Sequence, residues 1–218
     1  MMMPFHRVAE KTLAEISRQI AADSVMFAGR LAPAGARARR GVSDLFVEAC
    51  AGAPASDDYR FALEYIFEGY LLHFGSSRLL APDSAQFNLL AGDYMYARGL
   101  THIAALKDAG CVQIMASLIS ICAHINGVLD APGKCTPGGD GESIHAWMIA
   151  VLMLARRAAG DDSELARMEL YRETILANYT GKKGGEVEAV RDSNLEWLRS
   201  AFPNLGFEGW FDELALLD

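Results

Sequence analysis

The stretch Phe87-Asn88-Leu89-Leu90-Ala91-Gly92-Asp93-Tyr94-Met95-Tyr96, with Ala62-Leu63-Glu64-Tyr65-Ile66 and Tyr70-Leu71-Leu72-His73 ahead of it, decides how this chain is read. These blocks carry helical periodicity, without the strict alternation of a half-buried strand. Ser56, Asp57 and Asp58 open the first of two helices, because serine caps free N–H groups and negative charge complements the helix dipole. That helix runs to about His73, where Gly75 and the Ser-Ser-Arg after it stop it. Pro82 and Asp83 start the second, a long helix that ends near Asp108-Ala109-Gly110.

The same period continues outward in both directions. Upstream, a helix covers roughly Val8 to Asp23, with Val8, Leu13, Ile16 and Ile20 as its apolar stripe. A Gly/Pro/Ala/Arg stretch follows from Gly29 to Gly41, and Ser43 can cap a helix through Cys50 that Gly52 and Pro54 end. Downstream, Cys111 to Leu129 forms an uncharged helix, and a loop with Pro132, Gly133, Pro137, Gly138 and Gly139 separates it from a helix over Glu142 to about Ala159. Gly160 and Asp161-Asp162-Ser163 punctuate the next join. A further helix reaches about Tyr179 and ends at Thr180-Gly181-Lys182-Lys183-Gly184-Gly185. Two shorter helices, near Glu186–Ala201 and Glu208–Leu217, complete an all-α bundle read as one domain over 1–218, with no repeat of fixed period.

Composition narrows the function classes. Of 218 residues, 51% are hydrophobic, enough for one sizeable core. The net charge of −8 argues against nonspecific nucleic-acid binding, which needs Lys and Arg to neutralise phosphates. Cys50, Cys111, Cys122 and Cys135 show no metal-ligand spacing and read as reduced thiols of a cytoplasmic protein. Met1 to Arg7 has no apolar signal core and no cleavage-site pattern. The uncharged segment approaches the roughly 20 residues that cross a membrane. It contains Gln113, Ser117, Ser120, His124, Asn126 and Gly127, however, so a central helix wrapped by others is expected rather than stable membrane insertion.

Four constellations could carry chemistry. Arg37, Arg39 and Arg40, just ahead of a helix, make a diphosphate cradle or a solvated basic loop, since guanidinium groups give paired hydrogen bonds to phosphate. Glu64 and Glu68 share a helix face, with His73 about 140° further round. They read as a metal site or as an exposed charged stripe beside a packed histidine. Gln113, Ser117, Ser120 and His124, spaced by four, three and four, line a cavity or form a close-packed seam. Asp57-Asp58 and Asp161-Asp162 sit at helix starts, where capping explains them. Walker, GxSxG, HExxH and catalytic-cysteine signatures do not occur.

Taken in order, these pieces resemble the polyprenyl synthetase family, the all-α trans-prenyltransferases. Ala34-Gly35-Ala36-Arg37-Ala38-Arg39-Arg40 is similar to that family's Gly-Gly-Lys-Arg-x-Arg-Pro segment, without the lysine and the proline. Phe46 to Gly52 resembles its next helix, and Ala62 to His73 the helix leading into its first aspartate-rich motif. Leu89-Leu90-Ala91-Gly92-Asp93 resembles its Leu-Ala-Gly-Asp segment. The resemblance covers roughly residues 5 to 130. It implies an isoprenoid-synthase-like helical bundle, shortened. In that family Asp-Asp-x-x-Asp carboxylates hold magnesium on the leaving diphosphate; here Phe74, Gly75 and Arg78 stand at those positions. The second aspartate-rich motif and the later Lys-Thr pair have no counterpart either.

The chain looks most like the noncatalytic small subunit of two-component long-chain prenyl diphosphate synthases. The resemblance implies a catalytic synthase subunit as partner, with self-association as an alternative, and no cofactor. Phe87, Tyr94, Met95 and Tyr96 would then fill or bound an apolar channel, with Asp93 at the cavity or interface. Two other readings stay open. One is a prenyl-transferring or terpene-type enzyme with a displaced magnesium site using Glu64, Glu68 and His73. The other is a binder of isoprenoid-like apolar ligands, with a cavity among the three central helices, or a regulatory helical protein.

Overall fold

In the computed structural model the described residues are 7–32, 41–50, 56–129, 142–161, 165–179 and 186–215. They form ten helices: α1 (Arg7–Asp23), α2 (Val25–Ala28), α3 (Val42–Ala49), α4 (Asp57–Phe74), α5 (Ala85–Ala105), α6 (Ala109–Leu129), α7 (Glu142–Ala158), α8 (Leu165–Tyr179), α9 (Glu186–Ala201) and α10 (Phe207–Ala215). Among the described residues there is no strand, only an isolated antiparallel bridge between Leu31 and Leu80. The all-α expectation holds. The loop from 130 to 141 with Cys135, the segments around Gly52–Pro54 and Thr180–Gly185, and Leu216–Leu217 lie outside the described residues.

Local chemistry explains most of the helix ends. Ser56 caps α4 by accepting a hydrogen bond from the Asp58 N–H at 3.2 Å, and Ser84 caps α5 by accepting from the Phe87 N–H at 3.2 Å. The α5 cap thus lies beyond the expected Pro82-Asp83 start. Ser43 does not cap α3. Gly41 is the N-cap, and its N–H is held at 2.9 Å by the carboxylate of Asp44. In α1 the buried stripe is Ala9, Leu13, Ile16 and Ile20, with Val8 only half-buried. The short helix α2 was not legible at all; it drives Phe27 between Phe87 and Tyr94, with ring centroids 5.6 Å and 4.8 Å away.

The apolar residues divide into two clusters. The larger joins α3, α4, α6 and α7 with α8, α9 and α10, around Phe46, Phe67, Tyr70, Trp147 and Trp210. The smaller joins α1, α2, α5 and the loop after α4, around Ile16, Phe27, Leu80, Phe87 and Met95. The helix between them is α4: every residue from Ala62 to Leu72 is buried. This corrects the expectation that the uncharged helix α6 would be the wrapped one. Its Ala109, Gln113, Ala116, Ala123 and Gly127 face solvent, and only 50% of its apolar window is buried. By length and composition α6 alone among the described helices could cross a membrane.

Among the described residues α4 and α5 make the most extensive helix pair, and glycine sets their separation. A β-carbon on Gly69 would meet the Tyr96 ring at 2.6 Å and the Gly92 carbonyl at 3.0 Å. One on Gly99 would strike Ile66 and stand 3.0 Å from the Ala62 carbonyl. These contacts bring α4 and α5 together at Gly69 and Gly99. Replacing Gly99 by valine is expected to force the helices apart and cost about 1–3 kcal/mol, the usual price of overpacking. Gly127, with open space where a side chain would go, provides the contrast. Gly127→Ala should leave stability unchanged or raise it by up to about 1 kcal/mol, because a helical glycine carries an entropic cost. Urea unfolding of both variants checks the pair.

Candidate functional site

Glu64 and Glu68 lie one turn apart on α4, so both carboxylates leave the same face. The chain then turns at Gly75 and folds back, which brings Arg78 up against them. Its Nη2 donates to Glu64 Oε2 at 2.5 Å and its Nε to Glu68 Oε1 at 2.5 Å. Glu64 Oε1 also accepts from the N–H (2.9 Å) and hydroxyl (2.5 Å) of Ser43 on α3. Glu68 Oε2 accepts from the Ser77 hydroxyl at 2.6 Å and from the N–H groups of Arg78 at 3.0 Å and Leu79 at 3.3 Å. The Arg78 side chain is 1% exposed and the two glutamates 0%.

The exposed charged stripe expected here is therefore wrong, because each carboxylate finds a cation and several donors inside the fold. Burial opposes the charge on Arg78, but Glu64 and Glu68 more than offset it and hold the guanidinium cationic. Its plane lies over Phe67 at 5.1 Å. Arg78 Nη1 has no hydrogen-bond partner and faces Gly41, where a β-carbon would stand 3.0 Å away.

His73 does not join this cluster. Its Nε2 lies 3.4 Å from Asp93 Oδ1 on α5, and its ring stacks on Tyr96 at 5.1 Å. Gly92 makes room for the imidazole: a β-carbon there would approach Nε2 to 2.5 Å. The Ala-Gly-Asp step thus has a packing role and an electrostatic one. Phe87 is buried in the smaller core with Arg30 over its ring at 4.6 Å. Tyr94 donates its hydroxyl to Asp23 Oδ2 at 2.9 Å, tying α5 to α1.

The polar stripe of α6 divides. Gln113, Ser117 and Ser120 line an open groove of about 310 Å³ against Glu169 and Arg172 of α8, whereas His124 does not line it. Arg37, Arg39 and Arg40 lie outside the described residues. Two features had no signal in the sequence because both depend on distant segments meeting. One is a latch where Arg157 of α7 grips Asp108 through Nε at 2.6 Å and Nη2 at 2.5 Å, beside Cys111 and Tyr59. Burial pushes the Cys111 thiol up to about 11, which keeps it protonated. The other is a groove of about 330 Å³ at the end of α4, lined by Leu71, Leu72, Ser76, Leu80 and Asn88 among others.

Among the described residues Cys50, Cys111 and Cys122 form no disulfide. Among the described residues no three His, Cys, Asp or Glu side chains gather as metal ligands. No protein-family model matches the chain, and no curated protein or solved structure matches it significantly.

Two outcomes are expected from this geometry. Arg78→Met leaves two carboxylates buried without a cation and should cost about 3–5 kcal/mol in urea unfolding. Adding Glu64→Gln and Glu68→Gln to it should recover part of that loss, since the stranded charge is then gone. His73 behaves differently. Burial lowers its pKa from the ordinary 6.5, and Asp93 partly opposes the shift. The fold therefore favours the neutral ring: this stability is complete above the unfolded value and is lost as pH falls through it towards the folded one. In Asp93→Asn the His73 imidazole should titrate at lower pH than in the parent, as followed by NMR; an unchanged or higher midpoint would contradict the pairing.

Proposed function

We propose that this chain is a noncatalytic accessory subunit of a prenyl diphosphate synthase in isoprenoid biosynthesis, built on a shortened isoprenoid-synthase-like bundle. The order of the four segments from Gly35 to Asp93 supports this reading, and one structural observation carries it. Arg78, at the last position of the missing acidic motif, turns inward and takes up Glu64 and Glu68. Those are the two carboxylates on α4 that a displaced metal site would have needed.

Magnesium does not fit the residues present. Phe74 and Gly75 offer no side-chain oxygen, and the oxygens of Glu64 and Glu68 are already bonded to Arg78, Ser43 and Ser77. A divalent ion would have to displace a buried guanidinium. The charge that develops on a departing diphosphate would then meet no fixed counter-charge at this end of α4. In this reading the chemistry belongs to a catalytic partner subunit, and this chain contributes helical surface. The face of α6 carrying Gln113, Ala116 and Ala123 is exposed and uncharged, as a helix-packing face would be.

The test is co-expression with a catalytic prenyl diphosphate synthase encoded in the same genome. A stable complex is expected, together with gained activity or a changed product length relative to the catalytic subunit alone. The isolated chain, supplied with magnesium and an allylic diphosphate, should release no diphosphate. Release by the isolated chain, or failure to co-purify with any such subunit, would overturn the proposal.

A further inference from the structure

We draw no further inference here: the strongest candidate, the uncharged face of α6 where Gln113, Ala116, Ala123 and Gly127 are exposed beside the open groove with α8, is a stripe of small residues, and nothing in the structure shows what covers it.

Discussion

A single guanidinium organises one side of this molecule. Arg78 sits between Glu64 and Glu68 with its side chain 1% exposed, and through those carboxylates it joins α3, α4 and the returning loop. Taking three charges out of water is expensive, and it is tolerated only where each is met by opposite charge and by donors of good geometry. Here Ser43, Ser77 and the N–H groups of residues 78 and 79 add donors to the two carboxylates, while Arg78 Nη1 is left without a hydrogen-bond partner. Such a network depends on its parts, because removing one partner strands a buried charge. Its effect reaches past the charges. With the loop pinned at Arg78, Leu79 and Leu80 enter the smaller core, and residues 79–81 pair with 30–32 through hydrogen bonds of 2.8 Å.

The second organising constraint is the close approach of α4 and α5. Gly69, Gly92 and Gly99 remove the side chains that would hold the axes apart. Two histidine–aspartate pairs then bridge the same two helices. His102 meets Asp58 at 3.0 Å, stacked on Phe61 and Tyr65, and His73 meets Asp93. A close-packed seam of this kind leaves little room for a channel between the two helices. The exposed face of α6 and the groove at the end of α4 lie apart from this seam.

Much of the helical frame could be read directly. Capping residues such as Ser56, the stops at Gly75 and Gly160, and the 3.6-residue stripes place most of the helices within a few residues. Ranking helices by apolar content misled. Helix α6 is free of charge, yet its small residues can face solvent at modest cost; α4 carries two glutamates, yet is buried all round. Helix α2 escaped notice because four residues leave no period to detect. The site was legible only in part. The pairing of Glu64 with Glu68 follows from helix geometry, and the proximity of His73 to Asp93 does not.

By itself the sequence determined the helical character of the described residues, the order of the longer helices, and the absence of carboxylates at Phe74, Gly75 and Arg78. Those properties are local: they depend on residue type and on spacing along one helix. Tertiary structure alone decided that Glu64 and Glu68 are buried and spoken for. Their fate turns on Arg78 folding back and on Ser43 arriving from another helix. Whether a charge is solvated or internal depends on which distant groups meet it, and no period within a helix records that.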